Sequence, residues 1–496
     1  MQITIQKAKN GEETAVVNGH FLHSSYAPQK EAQRFAETLE LTYEPCCIII
    51  TEPALSYCAG FLRKRFPNIK IGAIRYCKDF FQYNSHFDFV LNFFEHSDFE
   101  NYLESCLNEE ELLKTYFISW KPSSAVFGEI DKLVWDSIKK SLERAKTLLI
   151  TRQYFEKKWF LNSCNLVSKI KNVQTFNYPV NFDVLIIASG PSLKSKINFI
   201  KENQNKFFII CLSSAISVCY ANQIIPDLCI STDGGFWAGE HLKKLEKTNV
   251  VTALACESFC KTSLLQKLQI LPLTYNEGIS SEIFKAADLK STKIERNGTV
   301  SGTALMFAIQ YFTKNIYFCG LDLACAKGFQ HTQPNELEQN AAIKDNRIFS
   351  KEKRIAASGL NSQSLEIYKN WFCNNEVKMQ GRKVFRIIEE NERKNNLIWI
   401  QDINQNELKK LCEKNQKIGA SEKAKLFSKI DYCINRKKIL ELLNDNCVAE
   451  NWKKLLFPMD YFLLSHNPQN IETKQKIDLE WEKLKKKAQE VFDEDL

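Results

Sequence analysis

The chain has 496 residues and a formal charge of +8, from 67 basic and 59 acidic side chains. At roughly 100–200 residues per domain, that length predicts about two to four domains. With 44% apolar residues and modest Gly and Pro, the chain is neither fibrous nor a long disordered segment, and its mild charge gives no reason to expect nucleic acid as a partner.

In chain order, residues 1–20 read as short strands with a charged turn, followed by a helix over 31–39. Residues 46–51 form a continuous apolar run, expected as a central parallel strand. A helix over 55–65 and a strand over 70–74 complete a βαβ unit, and 87–94 suggests a further strand. Val134, Ile138, Leu142, Ala145 and Leu149 recur at helical spacing and predict a long helix over 133–160. Residues 1–165 are therefore expected to form a small α/β domain ending in that helix.

Residues 166–385 are expected to form a second α/β domain, entered through a connector over 162–181. Its predicted strands are 184–188, 207–212, 228–232, 250–255 and 316–319, with a helix over 303–312. They are rich in Ile, Leu, Val and Cys without alternation, as in a sheet covered on both faces. From 386 onward Lys, Glu, Asn and Leu dominate. Helices over 406–413, 422–442 and 478–491 predict a helical accessory domain, with the lysine cluster at Lys485, Lys486 and Lys487 on a solvated face.

No apolar run approaches the ~20 residues of a membrane helix. The 17 cysteines are scattered through apolar runs, as at Cys46, Cys47, Cys211, Cys229 and Cys319, and are expected as small buried hydrophobes. Cys256 and Cys260 lie four apart with no second pair, so no metal ligand is assigned. Residues 1–6 meet a lysine at once afterwards and do not read as a secretory leader. A cytoplasmic location is the expectation.

The chemistry concentrates in three turns of the second domain. Ser189, Gly190, Pro191 and Ser192 follow the first predicted strand, where an α/β domain presents N–H groups to an anion. The lysine of a phosphate-binding P-loop and the spaced glycines of a dinucleotide fingerprint are both lacking. Thr299, Ser301, Gly302 and Thr303 open a predicted helix, where hydroxyls and N–H groups can hold a phosphate or merely cap the helix. Asp322 follows Gly320 at the end of the 316–319 strand, and His331 lies nine residues further on, a candidate base for a hydroxyl nucleophile. Asp233 ends the 228–232 strand before two glycines and is a candidate for orienting a ligand, or for a turn cap. Asp227 is expected in a local turn contact, and Glu277 in a structural role. His241, His20 and His23 are weaker candidates for a base.

These segments, in this order and spacing, resemble the motility-associated factor family of bacterial flagellin glycosyltransferases, whose central domain is similar to the archaeal 6-hydroxymethylpterin pyrophosphokinase. The likeness rests on Ser189-Gly190-Pro191-Ser192-Leu193, Ile225-Pro226-Asp227 with Thr232-Asp233, Ser301-Gly302-Thr303, and Gly320-Leu321-Asp322-Leu323-Ala324 with His331 downstream. Upstream, His23-Ser24-Ser25-Tyr26-Ala27-Pro28 with Glu31, Ala32 and Arg34 is also similar. The likeness covers most of residues 20–385. Leu321 stands where the family often has glutamine and Cys325 where tyrosine is common, which leaves the donor sugar open.

The resemblance implies a Rossmann-like central domain related to sialyltransferases. It implies a CMP-activated nonulosonic acid of the pseudaminic or legionaminic type as donor, and serine or threonine hydroxyls of flagellin as acceptors. The Gly190 and Thr299–Gly302 turns would bind the donor. His331 matches a histidine that acts as base or phosphate contact, and Asp233 and Asp322 would orient donor or acceptor. No cofactor is expected beyond the CMP-sugar, although Mg2+ at Asp233 stays open. Two other functions remain: a pyrophosphokinase acting on a pterin-like alcohol with ATP, and a non-catalytic flagellin-binding chaperone.

Overall fold

The structure is a computed structural model that describes residues 3–96, 98–325, 329–357, 363–374, 382–389, 392, 397, 399–413 and 417–493. Internal packing divides the chain into two compact units, Met1–Phe155 with Phe457–Glu480, and Glu156–Leu456 with Trp481–Leu496.

In the first unit, β1 (Ile3–Lys7), β2 (Glu13–Val17) and β3 (His20–Phe21) form an antiparallel sheet. A second sheet is parallel, with β4 (Cys47–Thr51), β5 (Lys70–Arg75), β6 (Phe89–Asn92) and β7 (Thr115–Ser119) in the order β6-β5-β4-β7. The apolar run at 46–51 is thus a central parallel strand, as its composition requires. Ile48, Ile49 and Ile50 are fully buried, so both faces of β4 are covered. The His23 segment is a clamp in this unit: His23 Nε2 accepts the Leu55 N–H at 3.0 Å, and Glu31 accepts the Ser24 N–H at 2.7 Å.

The long helix predicted over 133–160 spans Gly128–Lys169. Beyond it the second unit carries the large sheet. Its strands are β8 (Asn172–Phe176), β9 (Val184–Ile187), β10 (Phe208–Leu212), β11 (Leu228–Ser231), β12 (Val251–Ala255), β13 (Gln269–Thr274), β14 (Thr292–Lys293), β15 (Ile316–Cys319), β16 (Val384–Ile388), β17 (Gln401–Asn404) and β18 (Phe427–Ile430). The order is β17-β16-β15-β9-β10-β11-β12-β13-β8-β18, with β14 beside β13. Every pairing is parallel except that of β18 with β8. This is the Rossmann-like α/β sheet expected for the central region.

Alternate residues Val184, Ile186, Phe208, Ile210, Leu228 and Ile230 join Ala304, Phe307 and Ala308 of helix Val300–Tyr311 in one core. The intervening Leu185, Ile187, Ile209 and Cys211 are equally buried, so helices and loops seal the opposite face.

The stretch after 386 differs from the sequence expectation in one respect. It is helical at Gln405–Glu413, Arg436–Asn444, Asn446–Leu456 and Ile471–Asp493, but contributes β17 and β18 to the sheet. The helix expected over 422–442 is broken: Phe427–Ile430 pairs with β8, where the Phe427 ring packs against Phe176 at 5.3 Å. A short hydrophobic pairing partner outweighs the helical propensity of the surrounding lysines. Among the described residues no helix is long and apolar enough to cross a membrane.

Candidate active site

The chain leaves β9 for β10 and runs outward through β11, β12 and β13, then returns to the other side of β9 as β15. The strand order reverses between β9 and β15, and such a reversal opens a crevice at the carboxyl ends of the strands. The turns after these two strands hold the Gly190 and Gly320 segments. They are welded together: Gly190 N–H donates to Gly320 O at 2.9 Å.

Neither glycine has room for a side chain. A Cβ at Gly190 would lie 2.4 Å from Gly320 O, and one at Gly320, where φ is +73°, would lie 2.4 Å from Ala188 O.

Asp322 closes the weld. One of its carboxylate oxygens accepts the Ser192 N–H at 2.6 Å, and the other accepts the Ser192 hydroxyl at 2.5 Å. The first helical turn after Gly190 therefore has its own carboxylate. The N–H groups of Gly190 and Ser192 are both engaged inside the protein, and Pro191 has none. Ser189, Gly190, Pro191 and Ser192 form a fixed turn, a wall at this reversal point, in which the N–H groups of Gly190 and Ser192 face protein acceptors. Asp322, proposed from sequence to orient substrate, holds that wall.

His331 sits against the same wall. The next residue, Thr332, donates its N–H to Ser189 O at 2.7 Å and its hydroxyl to Gly190 O at 2.6 Å. Glu338, which the sequence reading did not single out, organises the imidazole. Its Oε1 accepts the N–H of Gln330 at 2.8 Å and of His331 at 2.9 Å, and lies 3.1 Å from His331 Nδ1.

Burial alone would raise the Glu338 pKa. The His331 side chain, then the His331 and Gln330 N–H groups, outweigh it and hold the carboxyl below its ordinary value. An ionised carboxylate only accepts, so Nδ1 carries a proton toward it and Nε2 is the ring nitrogen this contact leaves for another partner. The His331 side chain is 23% exposed and Glu338 is 8% exposed, which suits a base supported from within.

The segment carrying His331 is fastened at further points. Asn335, fully buried, caps helix Glu336–Ile343 by accepting the N–H groups of Leu337 and Glu338, and donates to Ser214 O at 2.8 Å. Glu336 reaches His241 Nδ1 at 2.7 Å and also accepts the Ser217 hydroxyl. His241 is buried, so it serves as an anchor for this helix. Ser189 and Ser214 share a hydroxyl contact at 2.8 Å, joining the ends of β9 and β10.

Helix Val300–Tyr311 has no side-chain cap at Thr299. Its last residue meets the chain just before β9, where the Val180 N–H donates to Tyr311 O, so its first turn lies toward the carboxyl edge of the strands. Thr299 and Ser301 hydroxyls are 2.9 Å apart, while Asn297 accepts the Thr299 N–H and donates to the Thr303 hydroxyl at 3.2 Å. Gly302 is required here, because a Cβ would lie 2.8 Å from Asn297 Oδ1 and 2.9 Å from the Trp371 ring. Ser301 and Thr303 are buried, and Thr299 is half-buried.

Asp233 is exposed at the end of β11, where its carboxylate accepts the Gly235 N–H at 2.8 Å as a turn cap. Asp227 accepts the Ile209 N–H at 2.7 Å and pairs with Lys423 at 2.8 Å. Glu277 is bound to Arg296, whose guanidinium also grips Glu257 and lies over the Tyr275 ring at 4.5 Å. Burial would lower the Arg296 pKa, but Glu257 and its neighbours raise it above the ordinary value. This cluster ties the ends of β12 and β13 to the Asn297 turn. Among the described residues no group of three or more His, Cys, Asp or Glu side chains is placed to hold a metal ion.

Residues 157–328 match the family described as 6-hydroxymethylpterin diphosphokinase MptE-like. The matched stretch covers the Gly190, Asp233, Thr299 and Asp322 turns and stops short of His331 and Glu338. An uncharacterized protein of Treponema pallidum (strain Nichols) is 28% identical over 277 residues, 55% of this chain and 60% of that protein. The chain thus spans about 60% of the length of that relative. The structure of a MAf glycosyltransferase from Magnetospirillum magneticum AMB-1 is similar with a TM-score of 0.49 at 13% identity, over 99% of this chain and 91% of that one.

Proposed function

We propose that the chain transfers a nonulosonic acid, of the pseudaminic or legionaminic type, from its CMP conjugate to serine or threonine hydroxyls of flagellin. The observation that carries this reading is the His331–Glu338 pair, fastened through Thr332 to the wall of the crevice between β9 and β15. A neutral alcohol is a poor nucleophile, and an imidazole with Nδ1 held and Nε2 basic supplies what it lacks. The resemblance of its motifs to those of flagellin glycosyltransferases supports these donor and acceptor classes.

In this mechanism the acceptor oxygen forms a bond to the anomeric carbon of the donor while its proton passes to His331 Nε2. The bond from that carbon to the phosphate oxygen breaks, and CMP leaves with the electron pair. Negative charge grows on the leaving phosphate. The uncapped first turn at Thr299, with the Ser301 hydroxyl, supports that charge by its dipole and N–H groups. Asp322 acts through Ser192, by fixing the wall against which the donor lies. The reaction needs no resident metal. Mg2+, where supplied, would find Asp233 exposed on the same carboxyl edge.

A second reading, transfer of a pyrophosphoryl group from ATP to a pterin-like alcohol with AMP leaving, is favoured by the name of the matched family. It predicts stabilisation of the protein by ATP with Mg2+ and none by CMP. Thermal shift with CMP, ADP and ATP separates the two readings. Intact-mass analysis of flagellin from cells with and without the protein tests the first: loss of the sugar mass supports transfer, and an unchanged mass overturns it.

A further inference from the structure

Three large apolar side chains stand in water within seven residues of each other, at the last residue of the helix that carries Glu338 and just beyond it. Ile343 is 82% exposed, Ile348 69% and Phe349 72%. The segment is built rather than trailing. Asn346 accepts the N–H groups of Ile348 and Phe349 at 2.9 and 3.0 Å, and its own N–H donates to Phe349 O at 3.0 Å. Lys353 Nζ donates to Ile348 O at 2.9 Å. Arg354 pairs with Asp345 and lies over the Phe329 ring at 4.5 Å, two residues before His331. The base of this tip is therefore attached to the loop that holds the catalytic imidazole. Five residues of helix separate Glu338 from Ile343, about 8 Å at the usual rise.

Its charge is one-sided. Lys344, Arg347, Lys351 and Lys353 are exposed around the apolar residues, against Glu352 alone, because Asp345 is paired with Arg354. Exposed apolar side chains gathered on one short segment and rimmed by charge of one sign are the pattern of an interaction site. We propose that residues 343–354 form the docking tip for the protein acceptor, taking an apolar segment flanked by acidic side chains and setting the acceptor hydroxyl toward His331. This deepens the transferase reading and rests on it for the identity of the acceptor. A small pterin alcohol would have no use for the tip.

The test uses the full chain and an Ile348→Ser, Phe349→Ser double variant, with unglycosylated flagellin as the probe. Because both side chains are exposed, the variant should melt at the temperature of the unaltered chain. Its affinity for flagellin by titration calorimetry should fall about tenfold or more, the effect of losing a buried anchor. In transfer assays the KM for flagellin should rise in step while kcat holds.

Unchanged affinity overturns the proposal, as does variant-sensitive binding to phosphatidylglycerol vesicles without flagellin binding. If His331→Ala abolishes glycosylation but the tip variant binds normally, docking fails and transfer stands. If the tip variant binds weakly but flagellin mass never depends on the protein, transfer fails and docking stands. No flagellin binding by the unaltered chain overturns both.

Discussion

Asp322 and Ser192, 130 residues apart in sequence, share two hydrogen bonds of 2.6 and 2.5 Å across the point where the strand order reverses. The contact makes the Gly190 and Gly320 turns one object. Asp322→Ala leaves the Ser192 N–H without its acceptor and is expected to cost about 1–3 kcal/mol of stability. Asp322→Asn keeps one acceptor oxygen and should cost less. Urea unfolding of both variants checks the order. If the two are equally stable, the carboxylate does not hold the wall.

Gly190 and Gly320 make a steric prediction. Gly190→Ala or Gly320→Ala drives a methyl group onto a backbone carbonyl 2.4 Å away, which no side-chain rotation relieves. Each should destabilise the protein by about 1–3 kcal/mol. Gly298→Ala, with open space around it but φ at +72°, should cost about 1 kcal/mol from backbone conformation alone. Thermal melts of the three variants test the ranking.

Glu338 predicts a pH signature of stability. Its carboxyl is held below the ordinary value in the folded chain, so its contribution is present above the usual carboxylate range and lost as pH falls through it. Glu338→Gln retains an oxygen for the Gln330 and His331 N–H groups but removes the titrating carboxyl, and should flatten the acid side of stability against pH in chemical unfolding. Glu338→Ala should lower kcat and also loosen the loop. A Glu338→Gln stability profile that overlays that of the unaltered protein would show that these contacts do not hold the carboxylate.

In the first unit His23 predicts acid sensitivity. Burial foremost, then the charge of Arg75, lowers its pKa from 6.5 to about 3. The ring is neutral when folded, while an unfolded chain binds a proton below about pH 6.5. Its contribution to stability is therefore complete above that pH and lost progressively as pH falls toward 3. The slope is at most about 1.4 kcal/mol per pH unit. His23→Gln keeps an acceptor for the Leu55 N–H and should flatten stability against pH between about 6 and 4 in chemical unfolding.

The sequence made the middle of the large sheet legible because β9, β10, β11 and β15 are short, almost wholly apolar runs buried on both faces. It did not reveal β8, whose Asn172, Gln174 and Thr175 break the apolar run, or β13, which carries Pro272 at mid-strand. Strands β16 to β18 are short pieces in charged surroundings, stabilised by neighbours distant in sequence. At the site, three turns were readable as breaks after strands or before a helix, and Asp322 was readable as a polar residue at a strand end. Its partner was not, because nothing local joins residue 322 to residue 192. Glu338 left one signal: Asn335 three residues before it marks a helix start with an acid at the third position. Of the Arg296–Glu257–Glu277 cluster only Glu277 drew notice, and its partners did not, since the members come from three separate segments.

The most direct measurement is the intact mass of flagellin from cells carrying the unaltered protein, the His331→Ala form, or neither. The account predicts the full sugar mass in the first and its absence from the other two, with the variant protein present at normal levels. Flagellin of full mass in cells with His331→Ala would contradict the role of the imidazole, and full mass without the protein would contradict transfer itself.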